Sequence, residues 1–150
     1  MTAFNILWAE KAELIDNCRL IQKTLTDCTT LDAQIAELIE EIEVITELTK
    51  RCIAENSSNA QSQEEYNKKY NGYVERYEKT KAKVERLQGQ REERIAKADG
   101  IGAFMFRLYE LDEPPTEFDD QLWMQTIDKV IVHDDGRLVF IFKNGTEIEG

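Results

Sequence analysis

Carboxylates recur at helical spacing in the first half of the chain, and such a set could in principle hold a cation. The residues are Glu37, Glu40, Glu41, Glu43 and Glu47. Metal sites inside helical bundles use inward-facing Glu side chains with a His one turn away. Here the inward positions of the same segment are Leu and Ile, so the Glu side chains fall on the solvated side. We therefore predict a solvated helix face and no metal site.

A ladder of tyrosines follows, with Tyr66, Tyr70, Tyr73 and Tyr77 spaced by about one helical turn. Aromatic ladders can stack the bases of single-stranded nucleic acid. Tyrosine also packs well between helices, because its hydroxyl can stay at the edge of the interface. The basic residues near the ladder are balanced by acidic ones and form no cationic groove. The pattern favours helix packing, together with self-association near these residues.

The cysteines and the single histidine offer little chemistry. Cys18, Cys28 and Cys52 contain no CxxC pair, and their spacing suits small apolar residues of helices in a reducing compartment. His133 stands next to two aspartates, without a nucleophile motif or an orienting partner, and is interpreted as a solvated turn residue. We predict no catalytic residue, no metal and no cofactor.

The charge balance bears on the class of partner. The 150 residues include 19 Lys and Arg against 30 Asp and Glu, which gives a net charge of −11. This is the wrong sign for a chain that binds phosphate backbones by itself. No stretch approaches the roughly 18 to 20 apolar residues of a membrane span, and the N-terminus lacks signal-peptide features. We expect a soluble, cytoplasmic chain that does not bind membranes.

Two segments carry apolar or aromatic residues in alternating steps of four and three, the spacing of a heptad seam. The first seam is Leu31, Ile35, Leu38, Ile42, Ile45, Thr49 and Cys52, and the second is Tyr66, Tyr70, Tyr73, Tyr77, Thr80, Val84 and Leu87. The polar sequence NSSNAQS between them is rich in turn-forming residues. The sequence therefore predicts a long antiparallel coiled-coil hairpin over residues 30–99, with its tip at 55–62.

Two further features describe the surface of this hairpin. Residues 27–65 carry 10 acidic and 2 basic side chains, whereas residues 66–107 carry 11 basic and 6 acidic ones, so the two arms attract. Exposed ion pairs contribute only about 0 to 1 kcal/mol each. The charge asymmetry is therefore expected to determine which helices pair and in which orientation, while the buried apolar seam supplies most of the stability of the hairpin. Ile39, Leu48 and Ile53 widen the first seam, which indicates contact with more than one neighbour.

The remaining segments complete a mainly α fold. Residues 1–29 are predicted to form an N-terminal helix, with a break near Thr29 and Thr30 favoured over one continuous rod. Gly100 and Gly102 are predicted to end the return helix, so that residues 100–115 form a separate short helix and a linker.

Residues 116–150 are predicted to form a helix and a small β meander. Thr116 or Asp119 can start the helix, whose buried face would include Leu122, Trp123 and Ile127. The period then changes to two, with tight turns at residues 135–136 and 144–145. A three-stranded antiparallel sheet follows from this pattern.

The order of three segments resembles the C-terminal coiled-coil region of large serine site-specific recombinases. The segments are LDAQIAELIEEIEVITELTKRCIAEN, then QEEYNKKYNGYVERYEKTKAKVERLQ, and finally FDDQLWMQTIDKVIVHDDGRLVFIFKNGTEI. The resemblance covers nearly the whole chain. It implies that the coiled coil is inserted into a zinc-ribbon DNA-binding domain. The paired cysteines of that ribbon and the N-terminal domain with the serine nucleophile have no counterpart in this sequence.

The resemblance implies a function of contact and not of catalysis. The hairpin would join protomers for synapsis and directionality in DNA integration, through tip residues that include Asn59, Tyr66, Tyr70 and Tyr73. DNA would be bound only by the full-length parent, a directionality factor is a further possible partner, and the isolated chain would be a monomer or a weak dimer. By itself the chain would not be an enzyme.

The alternative hypothesis is a free-standing coiled-coil protein, either an adaptor or a prefoldin-like chaperone. Such chaperones usually place β hairpins between their two helices, whereas here the predicted strands follow both helices. Light scattering would help to distinguish the two, because a chaperone should form a stable oligomer. An enzyme that uses carboxylates is disfavoured because no convergent polar site is predicted.

Overall fold

The computed structural model describes residues 2–58, 62–113 and 119–149 and is mainly helical with one small antiparallel sheet. Its elements are α1 (Thr2–Ala9), α2 (Lys11–Thr26), α3 (Thr29–Ser58), α4 (Gln63–Glu110), α5 (Asp120–Thr126), β1 (Ile127–Val132), β2 (Leu138–Phe142) and β3 (Glu147–Glu149). The predicted fold class, a helical hairpin followed by a helix and a three-stranded meander, is confirmed. Asn59 and Thr116 lie outside the described residues.

The chain divides into two compact units. Residues 28–93 form the hairpin unit, and residues 1–27 together with residues 94–150 form what we call the body unit. The chain that folds into the body unit is therefore interrupted by the hairpin and resumes after it. The local patterns of the sequence predicted four consecutive segments and did not show that the segments before and after the hairpin fold together; only the resemblance implied that the coiled coil is an insertion in a domain.

The hairpin unit is held together by its two seams. Ile45, Cys52, Thr80 and Val84 are buried. The other predicted seam positions are partly buried: Leu31, Ile35, Leu38, Ile42, Thr49, Tyr66, Tyr70, Tyr73, Tyr77 and Leu87. Burial of such side chains is worth about 1.5 to 3 kcal/mol each when complete, so the seam dominates the stability of the pair.

Ion pairs link the acidic helix of the hairpin, α3, to the basic helix, α4. Arg76 Nη2 lies 2.9 Å from Glu41 Oε1, and Arg91 Nε lies 2.7 Å from Asp32 Oδ1. All four side chains are a third or more exposed, so each pair contributes little free energy and mainly fixes the orientation of the arms.

The predicted N-terminal helix over residues 1–29 is two helices, because α1 ends at Ala9 and α2 begins at Lys11. The periodicity did not reveal this break because Leu7, Leu14 and Cys18 keep helical spacing across it, and all three are buried in the body unit. The break predicted near Thr29 is present, since α2 ends at Thr26 and α3 begins at Thr29.

The predicted separate helix after Gly100 is wrong, because α4 continues through both glycines to Glu110. A glycine inside a helix costs about 1 kcal/mol relative to alanine. Ile101, Phe104 and Leu108 are buried on this last part of the helix. Burying them outweighs the cost of the two glycines, which explains why the helix does not stop.

Gly102 has a packing role instead of a terminating one. A Cβ built at this position would lie 2.8 Å from Gln22 Nε2, which is closer than real contacts allow. The same Gln22 Nε2 donates a hydrogen bond to the Ala98 carbonyl at 3.1 Å. Glycine at position 102 therefore leaves room for the Gln22 side chain to make this hydrogen bond within the body unit.

One cluster of buried side chains forms the core of the body unit. The members are Leu7, Leu14, Ile15, Cys18, Ile101, Phe104, Leu108, Leu122, Ile127, Phe142 and Ile148. Phe104 is at its centre with no exposed surface, and its ring centroid lies 6.3 Å from that of Phe142. The core thus joins helices from both chain segments to the sheet.

Asp119, one of the two predicted starting residues, is the N-cap of helix α5. The Asp119 carboxylate accepts hydrogen bonds from the backbone amides of Gln121 at 2.8 Å and Leu122 at 3.0 Å. Leu122 is buried, and Trp123 packs edge-on against Phe140 with centroids 5.9 Å apart. These contacts seat the helix on the sheet.

We expect Asp119→Ala to lower the free energy of unfolding of the body unit by about 1 kcal/mol, because two amides of α5 lose their acceptor. The measurement is urea unfolding followed by tryptophan fluorescence. Asp112→Ala removes the same charge at another exposed position and serves as the control. Equal stability of the two variants would contradict a capping role for Asp119.

The three strands form a meander in the order β1-β2-β3, with all neighbours antiparallel. Gly136 has a φ of 84° and Gly145 a φ of 89°, the left-handed backbone that the two predicted turns require. Ile127 was predicted on the helix face, but it is the first residue of β1 and is buried there. The sheet is thereby tied directly to α5.

A candidate interaction surface on the helical hairpin

Helix α3 ends at Ser58 and helix α4 begins at Gln63, on either side of the centre of the predicted tip. The hydroxyls of Ser57 and Ser58 donate to the Ala54 carbonyl at 2.8 and 2.9 Å, which satisfies an acceptor in the last turn of α3. Among the predicted tip residues, Asn59 lies outside the described residues.

The predicted tyrosines lie together on the first turns of α4. The rings of Tyr66 and Tyr70 are stacked, with centroids 5.8 Å apart and an angle of 25° between their planes. Both rings are half-buried, as are Tyr73 and Tyr77 further along the helix. Each ring therefore packs in the seam and still offers part of its surface to another molecule.

One flank of the hairpin is polar. It forms a shallow hollow of about 310 Å³ lined by Glu41, Gly72, Glu75, Arg76, Lys79, Thr80 and Lys83. Two ion pairs lie along it, Glu41 with Arg76 at 2.9 Å and Glu75 with Lys79 at 2.6 Å. The hydrogen bond from Lys79 lowers the pKa of the Glu75 carboxyl. Paired charges of this kind satisfy each other and leave little attraction for a ligand.

The opposite flank is apolar. A hollow of about 280 Å³ is lined by Thr46, Thr49, Lys50, Ile53, Tyr73, Val74, Tyr77 and Glu78. Ile39 is 42% exposed, Ile53 is 47% exposed and Val74 is 40% exposed. We use the name apolar flank for the surface formed by Ile39, Thr46, Ile53 and Val74. It can bind another apolar surface, because large exposed apolar side chains in a row are typical of interaction sites.

The other residues weighed for chemistry are dispersed. Glu37, Glu40, Glu43 and Glu47 are exposed. The pKa of Glu47 is lowered by the hydrogen bond that Lys50 donates to it. Among the residues the structure describes, no group of three or more His, Cys, Asp and Glu side chains is arranged to hold a metal.

The cysteines and the histidine have ordinary structural surroundings. Cys18 is buried in the core of the body unit, and burial raises the pKa of its thiol despite a 3.4 Å hydrogen bond from Asn144 Nδ2. Cys28 and Cys52 are buried in the hairpin unit. His133 is exposed, and its carbonyl accepts from the Gly136 amide in the turn between β1 and β2. In the described part of the chain, no helix is apolar over a length that would cross a membrane.

The sequence pointed to part of the apolar flank but missed two of its residues, Thr46 and Val74. Ile39 and Ile53 had been recognised as a widening of the first seam, and both are exposed. Val74 was overlooked because it stands between two residues with stronger signals, Tyr73 and Glu75. Its position directly after a seam tyrosine could have revealed it, since Ile39 and Ile53 also directly follow the seam residues Leu38 and Cys52.

Comparison of the chain with protein-family models, with curated proteins and with solved structures found no match.

Proposed function

We propose that this chain is the C-terminal, non-catalytic region of a large serine site-specific recombinase of a mobile element, acting in the cytoplasm. Its hairpin unit is an arm that contacts another protomer and helps to decide which recombination sites are joined and in which direction. The chemistry of strand cleavage belongs to a serine domain elsewhere in the parent protein.

The observation that carries this proposal is the interruption of the body unit by the hairpin unit. Residues before the hairpin and residues after it form one core, in which Leu7 and Cys18 are buried together with Phe104 and Phe142. In the recombinases that the sequence resembles, the coiled coil is likewise an insertion in a domain. The order of helix, hairpin, short helix and meander supports the same assignment.

The charge of the chain fits an arm better than a DNA clamp. With a net charge of −11, the chain repels a phosphate backbone at long range. In the proposed parent, other domains hold the DNA, and the arm acts between protomers that are already close. Tethering raises the effective concentration to about the millimolar range, so weak contacts suffice. A directionality factor would act by changing which arm contacts form.

A direct test replaces Tyr66, Tyr70 and Tyr73 by alanine in the intact recombinase. We expect synapsis of two DNA sites to fall by about tenfold or more, equivalent to about 1.4 kcal/mol of lost contact free energy. DNA cleavage by single bound dimers should be largely retained, because the serine domain is unchanged. The measurements are a gel-shift assay of synaptic complexes and a cleavage assay on the same samples.

Two controls separate contact from folding. Replacing the same three residues by phenylalanine keeps the rings in the seam, and circular dichroism shows whether the alanine variant retains its helices. Tyr109→Ala removes a tyrosine that is 72% exposed on the body-unit part of α4. Normal synapsis in the folded alanine variant, or an equal loss in Tyr109→Ala, would refute the role of the tip.

The identity of the parent is tested by the gene sequence on the 5′ side of codon 1. An open frame that continues into paired cysteines and a serine-nucleophile domain would support the recombinase. An in-frame stop codon directly before Met1 would refute it and favour the free-standing adaptor.

A further inference from the structure

The exposed surface of α3 carries five residues in one row. Ile39, Glu43, Thr46, Lys50 and Ile53 follow one another in steps of four, three, four and three, so they lie along one stripe of the helix. Ile39, Glu43, Lys50 and Ile53 are exposed and Thr46 is partly buried. The apolar flank thus has a charged residue between each isoleucine and the central threonine.

This row is self-complementary when it is reversed about Thr46. Position 39 is as far from Thr46 as position 53, and both are isoleucine. Position 43 nearly mirrors position 50, and they carry opposite charges. A second copy turned end over end would therefore place isoleucine against isoleucine and Glu43 against Lys50. Isologous dimers need this property, because the same patch must fit itself.

We infer that the apolar flank binds a second copy of this chain, with a two-fold axis that crosses the hairpin near Thr46. Each α3 then lies antiparallel to the α3 of the other copy, and the two hairpins form an antiparallel four-helix bundle. Lys50 also lies 2.7 Å from Glu47 of its own helix, but that pair is about two-thirds exposed on both sides and holds the lysine only weakly.

The residues of α4 that line the same hollow are consistent with this two-fold axis. Thr46 and Val74 line the same hollow, so an axis through the hollow passes close to both residues. Reversal about Val74 places Val74 against its own copy and Asn71 near Glu78, an amide against a carboxylate. No like charges oppose each other across these positions.

The flank is small, and the dimer is correspondingly weak. From Ile39 to Ile53 the helix rises by about 21 Å at about 1.5 Å per residue. Two helices about 10 Å wide then give a face of roughly 400 Å² per copy, about half of a standard interface. Contacts of this size are suited to protomers that a parent protein already holds together. The inference rests on the proposed function in this respect, and it names the surface and its occupant.

The first experiment uses the full chain with Thr46→Cys. A residue on a two-fold axis faces its own copy, so mild oxidation should link two chains through position 46 at least tenfold faster than through a matched position off the flank. Val44→Cys is that control, since Val44 is 54% exposed on the same helix. The native cysteines are all buried, which limits background linkage.

The second experiment exchanges the charges. Glu43→Lys alone and Lys50→Glu alone should each weaken self-association by about tenfold in sedimentation analysis. An equal mixture of the two variants should associate as a heterodimer, because every Lys then faces a Glu. The double variant with both exchanges should associate like the unchanged chain. This pattern is specific to the antiparallel arrangement.

The outcomes separate the flank from the wider proposal. Equal rates of disulfide linkage at positions 46 and 44, in a chain that does self-associate, would refute the inferred dimer through the apolar flank. The proposed role of the hairpin in recombination would not be affected by that result. A chain that stays monomeric at millimolar concentration would overturn the flank as well, while the synapsis assay of the intact recombinase still decides the proposed function. Rapid linkage at position 46 with a heterodimer from the charge variants would establish the flank, even if the gene upstream encodes no recombinase.

Discussion

We expect Phe104→Ala to lower the free energy of unfolding of the body unit by about 3 to 5 kcal/mol. The side chain has no exposed surface and packs against Phe142 in the core that joins both chain segments. Truncation removes the buried ring and leaves a cavity that the surrounding helices and sheet fill only in part. Trp8 and Trp123 both belong to the body unit, so tryptophan fluorescence during urea unfolding reports on this unit.

Phe106→Ala is the matched control, because Phe106 stands two residues further along α4 and is 62% exposed. Its change in stability should stay within about 0.5 kcal/mol, as for most surface substitutions. Similar losses for the two variants would contradict the placement of Phe104 at the centre of the core.

Ile45→Ala is expected to destabilise the hairpin unit by about 2 to 5 kcal/mol. Ile45 is the one residue of the first seam with no exposed surface. Loss of its side chain leaves a cavity between the paired helices, which a close-packed interior fills only in part. Circular dichroism at the helical minimum reports on the helices of both units, whereas the tryptophans report on the body unit alone, so a transition seen only by circular dichroism is that of the hairpin.

Val44→Ala provides the comparison at the adjacent residue, which is 54% exposed. Val44→Ala should leave the stability within about 0.5 kcal/mol of the unchanged chain. If Val44→Ala proved as damaging as Ile45→Ala, the seam would have been assigned to the wrong side of α3. A shift of the tryptophan transition in Ile45→Ala would show that the two units do not unfold independently.

The hairpin was predictable because its signals are local. Heptad spacing identifies which side of each helix is buried, and the polar segment between the seams identifies the turn. Asp119 as a helix start and the glycines of the two β turns were predictable for the same reason, since capping and left-handed backbone depend on one or two residues.

The errors arose where distant parts of the chain decide the local structure. Gly100 and Gly102 are reasonable terminating residues by themselves, but burial of Phe104 and Leu108 keeps the helix going. The close approach of Gln22 to Gly102 depends on residues 80 positions apart in the sequence. No local pattern marks the assembly of residues 1–27 with residues 94–150 into one unit.

The candidate surface was predicted in part. The tyrosines near the tip were identified from their spacing, and the stacked rings of Tyr66 and Tyr70 lie where that spacing put them. The reversal symmetry about Thr46 was present in the sequence, but its meaning depends on which residues are exposed. Only the structure distinguishes the exposed Ile39 and Ile53 from the isoleucines of the seam.

Arg94 marks the place where the chain returns from the hairpin, and its guanidinium donates to the carbonyls of Thr24 at 2.6 Å and Asp27 at 3.1 Å. Asp27 is the last body-unit residue before the hairpin, and Arg94 is the first one after it. The Arg94 side chain therefore links the two chain segments of the body unit at the point where the chain enters the hairpin and returns from it. A change in the length of the hairpin by whole heptads in both of its helices would therefore leave this junction, and the core of the body unit, unaltered.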